Sequence, residues 1–305
     1  MSLIAKGWPY TNAVDPEIYK GKIDWPKISI VTPSYNQGQF IEETILSVLN
    51  QNYPNLEYII IDGGSTDNTV EIIKKYEDRI TYWVSEKDNG QAHAINKGLE
   101  KCTGDFFCFI NSDDFYCSKA FIELVSLFAS EKIVLAYSNV DRVDDDSKNL
   151  GRTWEILSLQ LTSNIIFRGC PFPQPGVMFR TKTLKQIKGM DSSFNLSFDY
   201  KCFLEVSFLG QFVQTNMICA NFRTHKNQKT YTGSIKETRE MLRILKPYVK
   251  DKRLSLIQKK YLKQGIAIQY QARAKIYKRE KKYLLYFFYF LKFAFLYLPN
   301  KTNEI

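Results

Sequence analysis

Two histidines in 305 residues, no Cys-x-x-Cys pair and no zinc-type spacing exclude the common sequence-readable zinc sites. The six cysteines, at positions 102, 108, 117, 170, 202 and 219, fall largely inside apolar runs. They read as reduced core residues of a cytosolic protein. No run reaches the ~20 apolar residues that a membrane-crossing helix needs. The opening Met1-Ser-Leu-Ile-Ala-Lys-Gly-Trp-Pro9 lacks the apolar stretch of a signal peptide. Neither the G-x-G-x-x-G of a dinucleotide fold nor the G-x-x-x-x-G-K-[ST] of a P-loop is present, and Gly63-Gly64 is too short for either.

What is there is ordinary in bulk: 44% hydrophobic and 24% charged residues, as in a soluble globular protein. The length allows one large domain, or a domain with an appendage. The net charge of +10 is unevenly spread, with 18 Lys/Arg against 5 Asp/Glu from Lys236 to Ile305. The preceding residues hold 24 Lys/Arg against 27 Asp/Glu, which argues against nucleic acid as the body's partner.

The chain is organised around Asp105–Phe115. Phe106–Ile110 is a short continuous apolar run, the pattern of a strand buried on both faces. It ends in Asn111, Ser112, Asp113 and Asp114. Two adjacent carboxylates at a buried strand end repel each other and resist desolvation. Mg²⁺ or Mn²⁺ removes both penalties and keeps positions open for substrate phosphates. The alternative is a polar turn that caps a helix starting near Ser118.

Strands are expected over Lys27–Pro33, Tyr58–Ile61, Ile80–Val84, Phe106–Ile110 and Ile133–Val140. Helices are expected around Phe40–Leu49, Val70–Tyr76 and Gln91–Lys101. Strand, loop, helix, repeated, reads as an α/β fold with a mostly parallel sheet. Ligands of such sheets bind at the carboxyl ends of strands, where Thr32, Tyr35, Asp62, Ser65 and Asp113-Asp114 fall. Tyr35 offers a flat face to a nucleoside or is a loop anchor; Asp67 reads as a helix N-cap and His93 as a partly exposed helix residue. Asp144-Asp145-Asp146 reads as a solvated hairpin tip.

Thr32-Pro-Ser-Tyr-Asn36, Ile61-Asp-Gly-Gly-Ser-Thr-Asp67, Asn89-Gly-Gln-Ala-His-Ala-Ile-Asn-Lys-Gly98 and Asn111-Ser-Asp-Asp114 together resemble the family 2 glycosyltransferases of GT-A fold, over roughly Ile28 to Asn227. The resemblance implies a Rossmann-like central sheet flanked by helices, a nucleotide-diphospho-sugar donor (UDP-sugar favoured), Mn²⁺ or Mg²⁺, and transfer with inversion. It implies donor contacts at Thr32, Ser34, Tyr35, Asp62, Gly63, Asn96, Lys97, Asn111 and Asp113. Asp114 becomes the direct metal ligand, helped by Asp113 and His225 (a plain loop histidine is the alternative for the latter), with Lys226 and Lys229 near the leaving diphosphate. Gln174, in a loop fixed by two prolines, is the candidate acceptor contact. Asp199, opening an apolar helix, is the candidate base, with a helix N-cap as the alternative. Two departures from the family pattern stand out: Gly63 replaces a frequent base-reading Asp, and Asn111 replaces a frequent Asp. The Gln/Arg-x-x-Arg-Trp signature of processive synthases is absent, so single additions are expected.

Three segments are therefore expected: a lead-in over 1–27, the GT-A domain over 28–233, and a basic helical extension over 234–305. Tyr283–Leu298 carries one charge and is too short to span a bilayer as a helix. Leu284, Phe288, Leu291, Phe295 and Leu298 share one face; Tyr286, Tyr289 and Lys292 follow another. That pattern suits a helix lying in an anionic membrane interface, at the cytoplasmic inner face; the alternatives are a hairpin packed back on the body or a homo-oligomer contact. The expected acceptor is a sugar or lipid-linked sugar. The competing functional readings are a catalytically inactive nucleotide- or sugar-binding adaptor recruited by its tail, and a basic-tail nucleic-acid binder.

Overall fold

A computed structural model describes residues 7–21, 24–152, 166–226, 228 and 234–297. One nine-stranded sheet forms the centre. Its first half, β1 (Ile28–Ser34), β2 (Leu56–Asp62), β3 (Tyr82–Ser85) and β4 (Phe106–Phe109), is parallel in the order β3-β2-β1-β4. The second half is mixed. β8 (Val177–Arg180) runs antiparallel to β4 and to β6 (Ile133–Val143), and β6 pairs in parallel with β9 (Gln211–Arg223). The short β5 (Phe115–Tyr116) closes the far edge against β9, and β7 (Asn149–Arg152) forms a hairpin with β6.

The parallel strands β1, β2 and β4 are largely apolar because both their faces are covered. Ile28 and Ile30 of β1, Tyr58 and Ile60 of β2, and Phe106 and Cys108 of β4 point into one core. Val31, Ile59, Ile61, Phe107 and Phe109 point into the other, as the period of two requires. Helices α1 (Ile41–Leu49), α2 (Thr69–Lys74) and α4 (Ala120–Ser126) cover the first face. The second is covered by α3 (Gln91–Lys101), α5 (Thr181–Gln186), α6 (Phe198–Val206) and α7 (Ile235–Leu245). On α3, a Cβ at Gly98 would stand 2.5 Å from Val31 Cγ1, so glycine lets the helix lie directly on β1. All six cysteines are free, and four are fully buried.

Both flanking segments join these cores. Val14 and Tyr19 of the lead-in are buried, and the Trp8 indole donates to Tyr116 O at 2.8 Å. Helix α8 (Leu256–Arg279) begins with Ser255 and Gln258 in a capping box and inserts Leu262, Ile266 and Tyr270 beside Leu242, Leu245 and Tyr248. Helix α9 (Tyr283–Tyr297) folds back along α8 through Tyr289, Phe293 and Leu296. Its other side is bare: Leu284, Phe288, Leu291 and Phe295 are exposed. At ~1.5 Å per residue α9 is roughly 22 Å long, and no described helix is long and apolar enough to cross a membrane. Leu298 and Lys229 lie outside the described residues.

Candidate active site

The loops leaving β1 and β2 are stitched together. Asn36, at a φ of 52°, donates its amide to Ser65 Oγ at 2.7 Å and accepts from the Thr66 amide at 2.9 Å. The amides of Gln37 and Gly38 go to Thr69 Oγ1 and Asp67 Oδ2, both at 2.9 Å. Asp67 Oδ1 also accepts from the Thr69 amide in the first turn of α2, much as a cap does. Asp62 lies fully buried beneath. Its Oδ2 accepts from the Gly64 and Ser65 amides and the Ser85 hydroxyl, at 3.1, 2.8 and 2.6 Å, and its Oδ1 accepts from Ser65 Oγ at 2.5 Å.

The expectation that Asp62 touches the nucleoside is therefore corrected: its oxygens are filled from within, and it shapes the loop. Thr32 is corrected for the same reason, being buried with its hydroxyl 3.1 Å from the Tyr58 hydroxyl. Ser34, Tyr35 and Gly63 remain available. Ser34 Oγ is buried and has no hydrogen-bond partner among the described residues, and Tyr35 is 60% exposed. Gly63 lies beneath the Tyr35 ring edge.

At the tip of β4 the two adjacent carboxylates diverge. Asp114 turns inward, accepting from the Arg223 amide at 2.9 Å and from Asn111 Nδ2 at 3.1 Å. Burial, and then the neighbouring Asp113 charge, push its carboxyl well above the usual range, while these hydrogen bonds oppose the shift. Asp113 stays partly exposed, with Oδ2 3.0 Å from His225 Nε2. Asp114, expected as the direct ligand, is almost fully buried with one protein donor on each oxygen, and Asp113 presents the more exposed carboxylate of the two.

A 3.0 Å separation is a hydrogen bond, and it is also about the edge of an octahedron with ~2.1 Å bonds. Oxygen and imidazole donors suit Mn²⁺ or Mg²⁺. No group of three acidic, histidine or cysteine side chains that could hold a metal ion is found among the described residues. His225 packs on Phe40, with ring centroids 5.0 Å apart.

Arg223 holds this tip in place. Fully buried, it donates through Nε to Asp113 O at 2.8 Å, and through Nη2 to Glu43 Oε2 on α1 at 2.5 Å. Its Nη1 reaches the carbonyls of Asp144 and Asp145, at 2.9 and 3.2 Å, and Ser147 Oγ at 3.0 Å. The triple-acid stretch is the hairpin tip expected, and its backbone serves as an acceptor for the arginine.

Several expected contacts are internal supports instead. Asn96 makes a two-way pair with Met190, donating to its carbonyl at 2.7 Å and accepting from its amide at 2.8 Å, so it ties α3 to the Gly189 turn rather than holding phosphate. Lys97 is ion-paired with Glu86. Asn111 accepts from Gln91 Nε2 at 2.5 Å and gives its own amide to Asp114, which corrects its donor-contact role. Gln174 is buried and donates to Phe109 O at 2.7 Å, so it braces the end of β4 instead of facing an acceptor.

Asp199 sits in the first turn of α6, with Oδ1 accepting from the Tyr200 amide at 2.7 Å. Desolvation among its neighbours pushes its carboxyl up to about 6. Ser197, not Asp199, occupies the cap position. Helix α6 meets the tip of β4 through the rings of Phe198 and Phe109, 6.3 Å apart, and Asn195 lies 4.0 Å from the Cβ position of Gly90 beside α3. The helix that carries Asp199 thus packs against β4, and the turn before it reaches the start of α3.

Residues 29–188, more than half of the chain, match the family described as Glycosyl transferase family 2. The chain belongs to that family. A putative teichuronic acid biosynthesis glycosyltransferase, TuaG of Bacillus subtilis, is 45% identical over 92 residues, 29% of this chain and 36% of that protein. Chondroitin synthase of Escherichia coli is 30% identical over 210 residues, 66% of this chain and 29% of that protein. The chain thus matches only about a third of the length of these curated relatives. Staphylococcus aureus TarS (residues 1–349, with UDP-GlcNAc) superposes with a TM-score of 0.62 at 15% identity, over 85% of this chain and 89% of that one. The Pyrobaculum calidifontis mannosyltransferase PcManGT, bound to GDP-Man and Mn²⁺, gives 0.60 at 16% identity, over 97% and 92%. Both share the GT-A fold with this family 2 glycosyltransferase chain.

Two supports of the family 2 site escaped the sequence. Glu43 reads as one acid in the first turn of a helix, and nothing local announces Arg223, 180 residues away, as its partner. Glu240 of α7 accepts the amides of Asn195, Leu196 and Ser197, at 3.1, 2.8 and 3.1 Å, fixing the turn that delivers Asp199. No spacing rule links it to that turn.

Proposed function

We propose that the chain is an inverting, divalent-cation-dependent glycosyltransferase that moves single sugars from a nucleoside-diphosphate sugar to an acceptor hydroxyl, in bacterial surface polysaccharide or lipid-linked glycan assembly. The observation that carries this reading is the Asp113–His225 pair at the tip of β4, 3.0 Å apart and backed by the buried Arg223. Relatives named for teichuronic acid and chondroitin synthesis support the polymer class, and a neighbour holding GDP-Man with Mn²⁺ supports the donor and cation classes.

When bound, the cation neutralises charge on the departing diphosphate. Asp113 and His225 are the residues that hold it, and Arg223 keeps the Asp113 backbone from shifting. Ser34 offers its unsatisfied hydroxyl, and Tyr35 its ring face, to the nucleoside. Asp199 takes the proton from the acceptor hydroxyl as that oxygen attacks the anomeric carbon opposite the leaving group. A carboxyl pushed up to about 6 is a stronger base than an ordinary aspartate and is still ionised at pH 7. Incubating the protein with Mn²⁺ and a panel of UDP- and GDP-sugars tests the reading. Slow release of the nucleoside diphosphate, abolished by Asp113→Ala, is expected; release that Asp113→Ala leaves unchanged contradicts it.

The same reading includes attachment to an anionic, inner membrane surface, and the bare face of α9 supports it. Leu284, Phe288, Leu291 and Phe295 are exposed in a row, beside the basic Lys278, Lys281 and Lys282. Lys292 lies over the Phe288 ring, 4.2 Å from its centroid. Flotation of the full chain with phosphatidylserine-containing vesicles, but not with neutral ones, is the expected result.

A further inference from the structure

We propose that Asp88 reads the base of the donor, selecting one with a ring N–H (uracil or guanine) over cytosine and adenine; this rests on the nucleotide-sugar reading above. Asp88 lies in the loop between β3 and α3 and is half-buried. Its Oδ1 accepts from the Gly90 amide at 2.7 Å, which fixes the side chain in place. Its Oδ2 has no hydrogen-bond partner or ion pair among the described residues and stands 2.9 Å from the point where a Cβ on Gly63 would be. The Tyr35 ring comes within 3.3 Å of that same point. An exposed aromatic face and an unspent carboxylate oxygen thus meet over a residue with no side chain. Any side chain at position 63 would collide with the Asp88 carboxylate and close the gap.

Asp62, the other carboxylate of this region, is fully buried and already accepts from four hydroxyl and amide donors. A single free carboxylate oxygen can only accept. Uracil N3 and guanine N1 carry a hydrogen at neutral pH, whereas cytosine N3 and adenine N1 present a lone pair to the same place. A site built around one such hydrogen bond discriminates, because cytosine and adenine set a lone pair against the carboxylate there and can donate only from the amino group beside it, which requires the base to shift on Tyr35. Stacking on Tyr35, by contrast, is blind to the pattern of donors and acceptors.

Isothermal titration of the full chain with UDP, GDP, CDP and ADP, in the presence of Mn²⁺, tests this. In the wild type, UDP or GDP is expected to bind about tenfold or more tightly than both CDP and ADP. Asp88→Asn keeps the Oδ1 acceptor for Gly90 and so keeps the turn, but it faces the base with an amide donor. It is expected to bring that ratio below about threefold, and Asp88→Ala to do the same. Tyr35→Ala is expected to weaken all four ligands alike. A wild type without the preference overturns the inference, as do Asp88 variants that retain it. A wild type that binds none of the four nucleotides contradicts the glycosyltransferase reading itself.

Discussion

The tip of β4 and the outer face of α9 break opposite rules of protein architecture. The first buries charge: Arg223, Glu43 and Asp114 are all nearly inaccessible. The second exposes hydrophobe, with Leu284 at 90% and Phe295 at 83% exposure. A buried ion pair gives little net stability, and an exposed apolar face gives none. The two regions differ in how the anomaly is resolved. At the strand tip, each buried charge meets a partner within the chain, and Asp113 stays partly exposed with the buried His225 beside it. On α9 no described residue covers the apolar row. Internal completion marks a site built for precision; the bare face is what the proposed membrane attachment would use.

The largest effect expected from breaking the first region is on chemistry. Asp199→Asn removes the base and is expected to lower turnover by about 10²–10⁴ without unfolding the chain, measured by nucleoside diphosphate release and thermal melting. Asp199 must be ionised to accept a proton, and its carboxyl is pushed up to about 6. Wild-type activity is therefore expected to fall as pH drops through 6, and the residual activity of Asp199→Asn to lose that acid limb.

Next in size is the buried pair itself. Glu43→Ala leaves the Arg223 guanidinium without its carboxylate and is expected to cost about 3–5 kcal/mol in urea unfolding. The double variant Glu43→Leu/Arg223→Met is expected to be more stable than Glu43→Ala, since no unpaired charge stays buried, yet still to lose activity because Asp113 loses its anchor. A double variant with full activity would show that Arg223 supports the fold and not the site.

The smallest effect belongs to the second region. Phe295→Ser is expected to weaken binding to anionic vesicles by about 1.5–3 kcal/mol while leaving the melting temperature unchanged. A drop in melting temperature with unchanged vesicle binding would assign α9 to the fold and erase the contrast.

The parallel half of the fold was legible because its signals are local. Phe106–Phe109 and Leu56–Asp62 are strands because a buried parallel strand needs apolar residues on both faces, and α3 occupies Gln91–Lys101, as its periodicity requires. The mixed half was not. β9 pairs with β6 and with β5 through contacts 77 or more residues apart, and a period of two cannot say which neighbour a strand takes. The same limit governs the site. Which of Asp113 and Asp114 turns outward depends on the Arg223 amide, over a hundred positions away. Whether Asp62, Asn96, Asn111 and Gln174 are free to bind depends on donors and acceptors that the fold supplies. A sequence shows which polar side chains sit at strand ends, but not which of them the protein has already used.

The central claim is that Asp113 and His225 grip a diphosphate through a divalent cation at the end of β4. It is tested most directly by measuring UDP or GDP binding with and without Mn²⁺ in the wild type, Asp113→Ala and His225→Ala. The account predicts that Mn²⁺ tightens wild-type binding by about tenfold or more and that both variants lose this increment while keeping their metal-free affinity. An increment that survives both substitutions would contradict it.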